Sequence, residues 1–135
     1  MKIAIDTNML VRVIVRDDER QSRAALRILA KAETVAIPLP CLCEVAWVLS
    51  STYGYPKPRI AAAIESVVAT TNVEVDRTAV GIGLRIQANG GDFADGVIAS
   101  LGVSMGGEIF VSFDRKAVAR LRQIGMRAEL ASTLA

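Results

Sequence analysis

The sequence predicts an α/β fold: a three-layer arrangement with a short, mostly parallel central sheet of four or five strands flanked by helices. Three observations carry that expectation. Short branched apolar runs alternate along the whole chain with longer segments at helical spacing, the pattern of strand–helix units. The connections between them are brief, so successive strands run parallel and helices cover both faces. And 52% of the residues are apolar while only five are Phe or Tyr, so the core is built from Val, Ile, Leu and Ala, which suits layered α/β packing better than an all-β sandwich. At 135 residues this is most simply a single domain, 1–135, with one sizeable core.

The elements follow in order. Residues 2–6 branch and alternate like a buried strand, and Thr7-Asn8 offer capping chemistry for a helix beginning at Met9-Leu10-Val11. Asp17-Asp18-Glu19 place acids where a helix dipole favours them, and Ala24 to Ala32 continue that helix. Val35 to Leu39 reads as a second strand, followed by a helix from about Pro40 to Thr52 that Tyr53-Gly54-Tyr55-Pro56 stops. Ile60, Ile64, Val67 and Val68 mark a helix over 57–71, and Val73 to Asp76 a short strand. Thr78 to Ala88 is helical up to Asn89-Gly90-Gly91; Asp92 opens a helix over 93–104 that Met105-Gly106-Gly107 ends. Glu108 to Phe113 is the fourth strand, Arg115 to Gln123 a basic helix closed by Gly125, and Arg127 to Leu130 a possible edge strand. No repeat, linker or low-complexity segment interrupts the series.

Composition excludes several chemistries. There is no histidine, which removes Ser-His-Asp and Cys-His catalysis, histidine acid–base work and ordinary zinc sites together. Cys41 and Cys43 are two apart on a helix, so they diverge and read as small buried apolar residues rather than a redox pair. No apolar run reaches the ~18 residues of a membrane span, and the N-terminus lacks signal-peptide organisation, so no membrane association and a cytoplasmic location are expected. The net charge of +2 announces nothing by itself. Twelve of the sixteen cations, however, are Arg, the side chain best shaped for phosphate.

Four acids stand out. Asp6 ends Lys2-Ile3-Ala4-Ile5, Glu44 is the only charge between Val35 and Tyr55, Asp95 heads a small apolar helix, and Asp114 closes Ile109 to Phe113. A carboxylate in apolar surroundings costs several kcal/mol unless something cationic compensates it. Three of the four have no Lys or Arg beside them in sequence. Oxygen ligands without sulfur or imidazole select Mg²⁺ or Mn²⁺. In a parallel α/β sheet ligands gather beyond the strands' carboxyl ends, where Asp6 and Asp114 fall and where the helices bearing Glu44 and Asp95 begin, so convergence on one rim is expected. Setting these four aside leaves ten acids against sixteen cations. Asp92, three residues before Asp95, is placed as a helix N-cap or an outer partner of the site. Gly90-Gly91 lacks the Lys-Ser/Thr of a phosphate loop and is weak evidence for phosphate binding.

Ile3-Ala4-Ile5-Asp6-Thr7-Asn8, Cys43-Glu44-Val45-Ala46-Trp47-Val48-Leu49, Asp92-Phe93-Ala94-Asp95-Gly96-Val97-Ile98-Ala99 and Val111-Ser112-Phe113-Asp114-Arg115, in that order and spacing, resemble the PIN-domain ribonucleases, especially VapC-type toxins of bacterial toxin–antitoxin pairs. The resemblance covers nearly the whole chain. It implies a PIN-like fold, an acidic metal quartet of Asp6, Glu44, Asp95 and Asp114, supporting polar groups at Thr7, Asn8 and Ser112, an RNA substrate, and a cognate VapB-like antitoxin. Gly96 departs from the Ala common in relatives and is expected to weaken its helix by about 1 kcal/mol.

The expected activity is metal-dependent hydrolysis of RNA phosphodiesters, by one ion or two. A catalytically silent PIN domain that only binds RNA or protein is the alternative. A receiver-type phosphoacceptor would need two adjacent acids after the first strand, and an aspartyl phosphatase a second Asp at position 8; Thr7-Asn8 stand there instead. The apolar content and the resemblance also suggest a homodimer, with the helix bearing Ile60, Ile64, Val67 and Val68 as its expected surface.

Overall fold

A computed structural model describes residues 1–135 and divides them into two compact units, Met1–Asp76 and Arg77–Ala135. The first contains β1 (Lys2–Ala4), α1 (Thr7–Val15), α2 (Glu19–Lys31), β2 (Thr34–Ala36), α3 (Leu39–Ser51), α4 (Lys57–Val68) and β3 (Val73–Glu74). The second contains α5 (Arg77–Ala88), α6 (Phe93–Ser104), β4 (Phe110–Ser112), α7 (Arg115–Gln123), β5 (Ala128–Leu130) and the short α8 (Ala131–Leu134).

All strand pairs are parallel, as short strand–helix connections require. The order and type of elements match the α/β expectation, but the sheet does not form one piece. The first unit holds a three-stranded sheet, β1-β2-β3, with Ile3 opposite Val35 and Val35 opposite Val73. The second holds a two-stranded sheet in which Val111 pairs with Glu129. The strands are also shorter than the apolar runs suggested, because Asp6, Pro38 and Asp114 take N-cap positions and hand the chain to a helix at once.

In the first unit Leu10, Val35, Leu42, Leu49, Ile60, Ile64 and Val73 are almost wholly buried. Each contributes about 1.5–3 kcal/mol for the area it removes from water. Polar ties fix the edges: Ser22 Oγ donates to the Arg12 carbonyl at 2.8 Å, and Asn72 Nδ2 donates to the carbonyls of Leu29 and Ala32 at the end of α2, at 2.9 and 3.0 Å. The expected dimer surface on α4 is corrected here. Ile60, Ile64 and Val67 are buried, so their helical spacing marks the face α4 turns to the core.

The second unit packs Ile86, Ala99, Val118, Leu121 and Ala128 together, with Phe110, Ile124, Met126 and Leu130 against them. Its α5 and α6 meet through glycine. A Cβ built on Gly96 would lie 2.7 Å from Gly83 Cα and 2.8 Å from the Ile82 carbonyl oxygen, inside the contact limit of any real side chain. Gly96 therefore does more than loosen its helix: it permits backbone-to-backbone approach with α5, which an Ala would prevent.

Candidate active site

Asp6 and Asp114 are built alike. Each leaves a strand in extended conformation and becomes the N-cap of the next helix. Asp6 Oδ1 accepts from the Met9 amide at 3.0 Å, and Asp114 Oδ1 accepts from Lys116 and Ala117 at 2.9 and 3.1 Å. The capping expected of Thr7 or Asn8 thus falls to Asp6 itself. Capping occupies one oxygen of each carboxylate, and an ionised carboxylate offers roughly four acceptor sites, so ligation and capping are compatible at both residues. Ser112 Oγ accepts from the Asp114 amide at 3.0 Å and fixes the turn that presents the carboxylate.

Glu44 lies on α3 in a stripe with Pro40, Trp47 and Ser51, all exposed, while Cys41, Leu42, Val45, Ala46 and Leu49 form the buried face. Its apolar neighbours in sequence are thus on the other side of the helix, and the desolvation expected of this acid is absent. Asp6 and Asp114 are exposed as well. Only Asp95 is partly buried. Burial pushes its carboxyl above the ordinary value of 3.8, and Asp92 and Asp114 push it further, while Arg120 acts the other way. Asp92 occupies the N-cap position of α6, though its side chain makes no capping bond to the helix.

Each unit holds two of the expected acids, which act on a common thiol in the first and on each other in the second. In the first, the buried Cys41 thiol reports both: burial raises its pKa, the Thr7 hydroxyl hydrogen-bonds it, and Asp6 and Glu44 raise it further. Thr7 is thus tied to Cys41, the thiol on which both acids act. Asn8 and Asp6 line a cavity of about 300 Å³ with Met9, Arg12, Gln21 and Ile28. In the second unit Asp95 feels Asp92 and Asp114. Neither unit gathers three or more acidic, Cys or His side chains closely enough to enclose a cation by protein ligands alone.

Two residues of interest were not singled out from sequence. Trp47, counted there as an apolar neighbour of Glu44, is 67% exposed one turn beyond it. Arg120 lies six residues past Asp114, yet its charge reaches Asp95, so that acid is not without a protein cation. Their positions in a basic helix and an apolar one concealed both.

Parallel strands, strand-end aspartates turned into helix caps and a helix-borne acid in each unit define an α/β protein with oxygen-only acidic candidate residues in both units. The PIN domain family model matches residues 3–123, across both units, and the chain belongs to that family, whose members are typically nucleases. No curated protein matches the chain.

Proposed function

We propose that this protein is an endoribonuclease dependent on Mg²⁺ or Mn²⁺, with Asp6 and Glu44 of the first unit and Asp95 and Asp114 of the second as its catalytic acids. The observation that carries the reading is the repeated pairing, within a PIN-family chain, of a strand-end aspartate with a helix-borne acid. The donor set fits a hard cation, since every candidate ligand is a carboxylate and histidine is absent. Mg²⁺ is commonly held by one or two carboxylates plus waters and substrate phosphate, so acids in pairs suit it without a protein cage.

When bound, such a cation supplies Lewis-acid polarisation of the phosphoryl oxygens and lowers the pKa of water. The chain's own residues do the rest. Asp6 and Asp114 are held by their caps, with Ser112 fixing the second turn. Burial and the neighbouring Asp92 and Asp114 raise the pKa of Asp95 above the ordinary carboxylate value, which a bound cation would oppose. Trp47 offers a flat face on which a base can stack beside Glu44.

The family resemblance supports a narrower reading: a toxin silenced by an antitoxin that places an Arg into the acidic rim. It also supports a homodimer. With the α4 face buried, the exposed apolar residues available for self-association include Ile98, Met105, Val111 and Phe113. No helix is long and apolar enough to cross a membrane.

The test is cleavage of single-stranded and structured RNA with Mg²⁺, Mn²⁺, Ca²⁺ or excess EDTA. Cleavage with the first two, little with Ca²⁺ and none with EDTA is expected. Undiminished cleavage in chelator would refute the metal mechanism, and no cleavage under any condition would leave a silent binding module.

A further inference from the structure

Arg120 is unlike Arg12 and Arg122, whose guanidinium groups are engaged. Arg12 is tied to Asp17 at 2.6 Å, and Arg122 donates through Nε to the Ala128 carbonyl at 2.8 Å and through Nη2 to Glu129 at 3.0 Å. Arg120 is partly buried and makes neither a hydrogen bond nor an ion pair. Its stem nonetheless packs closely over the Gly90-Gly91 turn. A Cβ built on Gly91 would stand 2.9 Å from Arg120 Cδ and 2.6 Å from Ile86 Cγ2, so the side chain crosses the turn in space that only glycine leaves open. A Cβ on Gly90, whose φ is +88°, would stand 3.7 Å from Arg120 Nη2. The guanidinium end therefore lies along Gly90-Gly91, the turn that leads into α6 and Asp95.

We infer that Arg120, seated on Gly90-Gly91, is a phosphate-binding residue that anchors the backbone of a single-stranded RNA beside the acidic residues of the second unit. The inference rests on the ribonuclease reading above. A guanidinium is a planar fork of five N–H donors matched to phosphate oxygens, and holding its stem in advance reduces the ordering cost of binding. An arginine built to neutralise Asp95 would pair with it; Arg120 stays out of ion-pair contact with every acid and keeps its donors free. Lys116, one turn earlier on α7, is exposed and unpaired, and extends the positive charge along that helix. Gly90-Gly91 thus serves phosphate indirectly. It seats an arginine, rather than cradling phosphate with its own amides.

The experiment is fluorescence anisotropy of a labelled single-stranded RNA in EDTA, titrated at several NaCl concentrations against wild type, Arg120→Gln and Arg120→Lys. Arg120→Gln is expected to weaken binding about tenfold or more and to reduce the slope of log K against log[salt] by about 0.7, the amount for one phosphate contact on a single strand. Arg120→Lys keeps the charge, so its slope should match wild type while its affinity falls by less. An unchanged slope in Arg120→Gln overturns the assignment and leaves Arg120 as a counter-charge for Asp95. Should Arg120→Gln misfold, a folded Arg120→Lys decides: affinity equal to wild type overturns the fork geometry, and a partial loss at constant slope supports it. If wild type binds no RNA even at low salt, the ribonuclease reading falls as well. Cleavage without a change on Arg120 substitution sinks only the anchor.

Discussion

In the first unit Asp6 leaves β1 and caps α1; in the second Asp114 leaves β4 and caps α7, again through Oδ1. The two units differ in how they treat the companion acid. Glu44 stands on the open face of α3, whereas Asp95 is partly buried on α6 with Asp92 and Asp114 near it and Arg120 opposing them. They differ in packing too. Nine of the ten glycines lie in the second unit, where Gly83 and Gly96 bring α5 and α6 together and Gly91 seats Arg120. One local device, an aspartate that caps with one oxygen, can thus be placed on a side-chain-packed scaffold or a glycine-packed one. Solvent exposure of the second acid then sets its electrostatics.

The largest expected effect is on catalysis. Asp95→Asn and Glu44→Gln should each lower RNA cleavage by about a hundredfold or more, the scale for losing one group that stabilises developing charge. Their stabilities should separate. Glu44 is exposed, so its variant should melt within about 0.5 kcal/mol of wild type. Asp95→Asn removes a carboxylate disfavoured by burial and by two acids, so without metal it should melt at or above wild type near neutral pH. Calorimetry with and without Mn²⁺ checks both, and an Asp95→Asn protein that melts lower yet still cleaves RNA would make Asp95 a structural residue.

Next comes packing. Gly96→Ala should cost about 1–3 kcal/mol by overpacking, more than the roughly 1 kcal/mol that Ala gains in a helix. Gly102, on the same helix, has nothing within 4 Å of a built Cβ, so Gly102→Ala should instead stabilise by about 0.4–1 kcal/mol. Opposite shifts in Tm are expected. If both variants are stabilised, the close approach of α5 and α6 is not rigid.

Smaller effects belong to the caps. Asp6→Ala and Asp114→Ala should each lose about 0.5–2 kcal/mol. Asp114 should lose more, because it accepts from two amides and Asp6 from one. The Asn variants keep an acceptor oxygen and should retain most of that stability while losing cleavage, which separates cap from ligand in urea titrations run beside activity assays.

The fold order was legible because alternating short apolar runs and helical spacing are local properties. The four motif segments also carried the candidate acids to strand ends and helix starts. What escaped depends on distance in space. Glu44 looked buried because its sequence neighbours are apolar, although helical geometry puts them on the opposite face. Ile60, Ile64 and Val67 looked like a free surface because a stripe does not say what it faces. Gly96 looked like a defect and Gly90-Gly91 a faint phosphate signal, since the contacts that explain them come from residues 13 and about 30 positions away.

The smallest effect, and the one that most directly opposes the two units, is on pH. Burial pushes the Asp17 carboxyl up, but its bond from the Tyr53 hydroxyl and its pairing with Arg12 outweigh that and hold it below 3.8. Asp95 is held above the same value. A depressed folded pKa contributes stability that is present above the unfolded value and is lost as pH falls through the folded one. A raised folded pKa does the reverse: its contribution is full below the unfolded value and is lost as pH rises through the folded one. Relative to wild type, Asp17→Asn should therefore change the pH dependence only below about 3.8, and Asp95→Asn only from about 3.8 upward to its raised value. Urea midpoints collected at half-unit intervals from pH 2.5 to neutrality, without divalent ions, would show the two difference curves bending on opposite sides of the unfolded carboxylate pKa. If both bend on the acid side, Asp95 is better solvated than its burial implies, and the electrostatic contrast between the two units fails.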